Sequence, residues 1–261
     1  MTTLVLRSGT LAGVLAAETR SEILKAIRLP AFLVPTIVFP AMFYVLFGLM
    51  LNPTVAVGGV SMSAYLLASY GTFGVVGAAL FGMGIGVAAE RGQGWLTLKK
   101  ATPMPPLAYF LAKAVMSMIV GAVIASLLAA LGVAFGGVHL PLGSWMVLLV
   151  ILALGAIPFC AFGCALGYLS GPSSAPMLAN LIYLPMSLAS GLWIPLEFMP
   201  AVARTIAPYM PPYHLAQLAL IPISGDASDA MLHVAALIGF TALFLAAAVF
   251  AYRRDDGRTW G

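Results

Sequence analysis

The chain has 261 residues, of which 62% are hydrophobic and only 8% charged, with a net charge of +4 and a mean hydropathy of +1.06. Soluble domains hold roughly a quarter charged residues, so lipid must be the main solvent of this chain. Two cysteines exclude a disulfide framework and a tetrathiolate metal site, and the basic excess has no basic run or aromatic-basic face of the kind that binds nucleic acid.

The opening MTTLVLRSGTLAGVLAAETR has a short apolar run followed by acidic and basic residues, and is expected to be retained rather than cleaved. Within residues 8–29, Leu11, Leu15, Ile23 and Ile27 repeat every four positions, while Glu18, Glu22 and Lys25 lie off that stripe. This pattern predicts an amphipathic helix lying in the membrane interface with its charges turned to water.

A helix needs about 20 apolar residues to cross the hydrocarbon core. Six stretches qualify, near 30–51, 62–88, 107–134, 144–169, 175–196 and 229–251. None alternates in the way that barrel strands do, so the fold expected is an all-α membrane protein with six transmembrane helices in a single transmembrane domain over residues 1–261. Pro158, Pro176 and Pro185 predict kinks or displaced ends in the fourth and fifth spans. All lysines and arginines except Arg204 fall on one side of this arrangement. The positive-inside rule therefore puts both termini and the 90–103 loop in the cytoplasm of a multi-pass protein.

That loop, ERGQGWLTLKKATP, joins spans two and three. As one helix it would place Glu90 near the positive end of the dipole and Lys99 and Lys100 near the negative end, with Pro103 stopping it after Thr102. Trp95, Leu98 and Thr102 would share a face of a short rod across the end of the bundle, suited to transmit a push from a soluble partner. On the opposite side, residues 197–224 carry Pro200, Pro208, Pro211, Pro212 and Pro222 between apolar segments. Irregular backbone at membrane depth must be covered by protein or line a cavity, so this segment is expected to form two short helices dipping into the outer leaflet before span six.

Catalytic chemistry is scarce. No lysine follows a glycine, so there is no phosphate loop, and no His-Glu-x-x-His motif occurs. His214 and His233 with Asp226 and Asp229 are the sole candidates for an external metal site, and solvated loop residues explain them equally well. No Asp, Glu, Lys or Arg lies in the middle of a predicted span, and Lys113 is close enough to an end to snorkel. A carrier coupled to an ion gradient usually needs such charges at mid-depth, so energy for uphill transport should come from elsewhere. Cys160 and Cys164, four apart, and the Gly82/Gly86, Gly132/Gly136 and Gly163/Gly167 pairs read as helix-packing residues.

The stretch ERGQGWLTLKKATPMPPLAYFLAKAV resembles the cytoplasmic loop of type 2 ATP-binding-cassette export permeases. Glu90, Arg91, Gly94, Leu96, Thr102, Pro103, Tyr109 and Lys113 occupy that family's pattern. ETRSEILKAIRLPAFLVPTIVFPAMFYVLFG resembles its connecting helix and first span, and GLWIPLEFMPAVARTIAPYMPPYHLAQL its paired outer half-helices. The resemblance implies a coupling helix over 90–103, with Glu90, Arg91, Gly94, Trp95, Leu96, Leu98, Lys99, Lys100, Thr102 and Pro103 contacting an ABC ATPase subunit. It implies an outer gate containing Glu197, Pro200, Pro208, Pro211 and Tyr213. It further implies a second permease subunit, expected to be a homodimer partner, and a bacterial inner membrane location. ATP and Mg would sit on the ATPase subunit, with no cofactor on this chain, no metal and no catalytic residue. The chain carries no large external domain, which favours a small lipophilic cargo, a drug or a lipid; glycan export is the alternative within the family. A secondary carrier and a membrane-embedded lipid-modifying enzyme are the readings from other classes. The residues that contact substrate are not legible.

Overall fold

The computed structural model describes residues 11–51, 55–101 and 106–255. Helices α1 (Leu11–Arg28) and α2 (Pro30–Phe43) lead into a π-helical turn over Tyr44–Met50. A hairpin of β1 (Ala56–Val57) and β2 (Val60–Ser61) follows, and then α3 (Met62–Gly92), α4 (Trp95–Lys100) and α5 (Pro106–Phe135). After these come α6 (Leu142–Leu154), α7 (Ala156–Leu169), α8 (Ala175–Ala189), α9 (Ala201–Ile206), α10 (Pro211–Ser224) and α11 (Ala230–Arg254). Among the described residues, five helical stretches are long and apolar enough to cross a membrane: Pro30–Met50, Met62–Gly92, Leu107–Phe135, Leu142–Leu169 and Ala230–Arg254. The chain is an all-α, multi-pass membrane protein.

The fifth expected span differs. Helix α8 has 15 residues, about 22 Å at 1.5 Å per residue, against a hydrocarbon core of about 30 Å. It stops because Gly191 takes a left-handed φ of +75°, which reverses the chain ahead of Leu196. The fourth span is two helices joined at Gly155, and Pro158 lies in the first turn of the second, where a missing N–H costs nothing.

Helix α3 is the axis of the bundle, with 22 of its 31 residues buried, and it packs against α2, α5, α7, α8 and α10. Its composition explains this, because small residues let neighbouring backbones come close. At the α3–α7 crossing, a Cβ on Gly167 would lie 2.7 Å from the Gly84 carbonyl, and one on Gly163 would lie 2.9 Å from the Leu80 carbonyl. The Gly163/Gly167 pair thus meets α3 through Gly84, whereas Gly82 and Gly86 face α5.

Helix α1 forms where the sequence predicts it, but its charged side is not simply turned to water. Glu22 and Ala26 are buried and Ile27 is exposed, with α1 packed along α5. Glu22 turns inward because Lys113 at the bundle end offers it an ionic partner, while of the apolar stripe Ile23 packs against the core and Ile27 is exposed.

The hairpin lies at the opposite end of α3 and pairs Ala56 with Ser61 and Val57 with Val60. Gly58 and Gly59, both with positive φ, make its two-residue turn. The 197–224 segment contains a 3-10 turn over Leu196–Phe198, then α9, a second such turn over Ala207–Tyr209, and α10. Helix α10 is buried through Leu215, Ala216, Leu218 and Ala219, against α3, α6 and α11.

Candidate functional site

The predicted rod is divided. Glu90, Arg91 and Gly92 continue the hydrogen-bonded ladder of α3, which ends when the Gln93 N–H meets the Ala89 carbonyl. Gly94 follows at φ +74°, a conformation cheap for glycine alone, and its carbonyl accepts the first bonds of α4 from Thr97 and Leu98. Glu90 is therefore at the end of a long helix, not at the start of a short one, and the dipole argument for it does not hold.

What holds Glu90 is a buried group of four charges. Its Oε1 accepts from Lys25 Nζ at 2.9 Å and Lys113 Nζ at 3.1 Å, and its Oε2 accepts from the Tyr109 hydroxyl at 2.6 Å. Glu22 completes the ring: Oε1 accepts from Lys25 and Oε2 from Lys113, both at 2.7 Å. Each ammonium bridges both carboxylates, so charge cancels locally and every strong acceptor has a donor, as burial of charge requires. Lys113 does not snorkel; it and Glu22 are each 2% exposed, and its ammonium also lies 5.1 Å from the centre of the Tyr109 ring. The ring ties α1, the end of α3 and the start of α5 into one unit. Desolvation opposes the charge on Lys25, but hydrogen bonds and the charges of Glu22 and Glu90 outweigh it and raise its pKa above the usual lysine value. Its contribution is complete at neutral pH and is lost only as pH rises through that elevated value.

Arg91 turns the other way. Its guanidinium donates to the Tyr168 carbonyl and, at 2.8 Å, to the Ser170 carbonyl, and stands 3.8 Å from Asp255. The planar guanidinium presents its N–H groups as a fixed fork, which here spans two carbonyls at the end of a helix. Arg91 thus fastens the ends of α7 and α11 to α3.

The remaining predicted residues are arranged in α4. Trp95 is 50% exposed and Leu98 68% exposed, three apart and so on one side. Leu96 is half-buried against the core. Lys99 and Lys100 close α4; the placement of their side chains, and Thr102 and Pro103, lie outside the described residues. Of the ten residues expected to contact a partner, Glu90 and Arg91 make bonds within the chain. Sequence reasoning missed Glu22, Lys25 and Lys113 as one site. The available signal was a lysine several residues inside an apolar helix, which demands a buried carboxylate.

At the far end, Glu197 is exposed and its Oε1 accepts the Gly58 N–H at 2.8 Å, linking the 3-10 turn to the hairpin. Pro200 precedes α9, and Pro211 opens α10 and is buried. The Pro208 carbonyl lies 2.9 Å from His214 Nε2, and the Tyr213 ring packs on both His214 and His233. Those four gate residues and Tyr213 do lie along one segment, but Glu197 contacts the hairpin whereas Tyr213 contacts α11. Among the described residues no group of three or more His, Cys, Asp or Glu is arranged to hold a metal ion.

A sequence model described as ABC-2 family transporter protein matches residues 54–250. The chain belongs to that family. It is also 26% identical over 243 residues to a protein named "Putative transport permease YvfS" from Bacillus subtilis (strain 168), across 93% of this chain and 98% of that protein. This ABC-2 permease is a transport protein, and membership implies an ABC ATPase partner. The match begins before β1 and ends near the last turn of α11, so it contains Glu90, Lys113 and α4 but not α1.

Proposed function

We propose that this permease is the membrane subunit of an ATP-driven export complex, in which α4 is the coupling helix. The observation that carries the reading is the contrast between α4 and its base. Two large apolar side chains, Trp95 and Leu98, project from a six-residue helix, while the residues just before it are locked by the four-charge ring and by Arg91. Exposed aromatic and aliphatic anchors suit docking in a groove of a soluble subunit. A locked base lets a push on α4 move α3, α5 and α1 together rather than bend the joint.

In this reading two copies of the permease pair with two ATPase subunits that hold ATP and Mg. The short helix α8 completes a sixth span, and the termini and α4 face the cytoplasm of a bacterial inner membrane. The 196–222 segment is the outer gate. Between α2 and α8 runs a groove of about 590 Å³ bordered by Phe32, Phe39, Phe43, Phe73, Tyr183 and Trp193. Such a wall gives hydrophobic and stacking contact with few hydrogen bonds, which favours a lipophilic drug or lipid over a glycan.

Substituting Trp95 and Leu98 together by aspartate tests the coupling helix. Both side chains are exposed, so the purified variant should remain monodisperse with the wild-type unfolding temperature. Loss of two anchors of this kind should weaken ATPase docking by about 4 kcal/mol, roughly a thousandfold. Transport and ATPase association at wild-type levels in the double variant would refute the role of α4.

A further inference from the structure

At the end of the bundle opposite the four-charge ring lies a cavity of about 330 Å³ that the transport reading leaves without a task. Glu197, Asp226 and Asp229 line it, with no lysine or arginine beside them. Glu197 takes one backbone N–H from Gly58 and Asp226 one from Ser228, which leaves each carboxylate with further lone pairs. Leu196, Leu220 and Ile221 add an apolar wall.

Acidic groups alone would attract any cation, and His233 adds the discrimination. His214 and His233 are 4% and 8% exposed, and their Nδ1 atoms are 3.0 Å apart. A carbonyl can only accept, so His214 Nε2, 2.9 Å from the Pro208 oxygen, carries a proton. Burial holds His214 below the ordinary histidine pKa, more strongly than its bond to Pro208 raises it, which favours the neutral ring, and in the neutral ring the other nitrogen is bare. His233 Nδ1 must then be the donor between the rings. In neutral His233 the remaining nitrogen, Nε2, is then an acceptor. It has no hydrogen-bond partner among the described residues, and it belongs to a buried ring that borders the acidic cavity.

We propose that this cavity binds a primary ammonium group. One N–H of the ammonium is donated to His233 Nε2, the others go to the carboxylates, and a short alkyl portion lies on Leu220 and Ile221. A metal ion would need several ligands converging at 2.0–2.6 Å, which the described residues do not offer; an ammonium bridges acceptors spread more widely.

The acceptor role of His233 has a signature that a plain acidic patch lacks. The groups facing it are His214 and Tyr213 from α10, Asp229 at the start of its own helix, Glu197 from the 3-10 turn, and Tyr65 from α3. Asp226 lies in the loop beside them. Of these, the imidazoles are the groups that can change charge on acidification before the carboxylates do. A protonated His233 loses its lone pair and repels a cation, so binding should weaken as pH falls while the carboxylates stay ionised.

The test uses the full-length protein in phosphatidylcholine nanodiscs, with n-propylammonium chloride observed by saturation-transfer NMR. Its few heavy atoms bound the affinity to about tens of micromolar at best. We expect saturable binding that falls as pH is lowered from 8 to 5.5, by up to about tenfold, the worth of one charge-assisted hydrogen bond. His233→Phe should remove it by a similar factor, and tetramethylammonium, which has no N–H, should fail to compete. Asp229→Asn, at an exposed position, should also weaken binding and covers the case in which His233→Phe does not fold. A short-chain phosphatidylethanolamine tests a lipid-borne source: competition by it assigns the ammonium to a headgroup, and its failure beside propylammonium binding assigns it to a free amine, either result supporting the site. No saturable binding of either probe, binding indifferent to pH, or equal binding of tetramethylammonium would overturn the proposal.

Discussion

Lys113→Met is expected to destabilise the protein by about 3–5 kcal/mol, the usual result of removing one partner from a buried ion pair. Lys113 is the ammonium with the least access to water in the ring, and both Glu22 and Glu90 depend on it. Methionine fills most of the volume, so the loss reports charge rather than a cavity. It leaves two carboxylates sharing Lys25 alone, whose side chain is 34% exposed and screened accordingly. The measurement is the apparent unfolding temperature in one fixed detergent, by intrinsic tryptophan fluorescence. Adding Glu22→Gln to Lys113→Met should recover more than half of the loss, because it removes the uncompensated charge along with its partner. A Lys113→Met protein as stable as wild type would mean that the four charges do not form a buried unit.

The second large effect is expected at the α3–α7 crossing. The obstacles there are backbone atoms of the central helix, so they cannot turn aside as a side chain could. Gly163→Ala and Gly167→Ala should each cost about 1–3 kcal/mol through overpacking. The double variant should fall below the level at which folded protein is recovered from membranes, read by size-exclusion chromatography of the solubilised sample. Gly143→Ala is the matched control: an added Cβ there meets nothing within 4 Å, and the substitution should lie within about 0.5 kcal/mol of wild type. Normal recovery of the Gly163/Gly167 double variant would contradict the close approach of these two helices.

The apolar runs made the membrane class and five of the spans legible, because lipid permits few alternatives to a helix. The end of α8 was hidden, since it depends on the left-handed turn at Gly191 and not on hydropathy. The periodicity of residues 8–29 correctly showed two faces but not which one turns inward. That choice was settled by Lys113 and Glu90, far away in sequence, which recruit Glu22 and Lys25. His214 and His233, grouped with Asp226 and Asp229 from the sequence, do meet, but through their rings across two helices and, among the described residues, not in a group that could hold a metal. ERGQGWLTLKKATP was read as one helix because its charges fit a dipole. The structure instead spends Glu90 and Arg91 on ties within the bundle, and leaves the short segment after Gly94 to carry the exposed anchors.

The central claim is that this permease works with a separate ATPase through α4. The most direct measurement is affinity purification of the tagged chain from detergent-solubilised membranes of its native host, with identification and quantification of what accompanies it and an assay of ATP hydrolysis. The account predicts a stoichiometric partner bearing a phosphate-loop ATPase domain, ATP hydrolysis in the purified complex, and loss of both in the Trp95/Leu98 aspartate variant. A well-folded chain that purifies alone, with no ATPase at any stoichiometry, would contradict it.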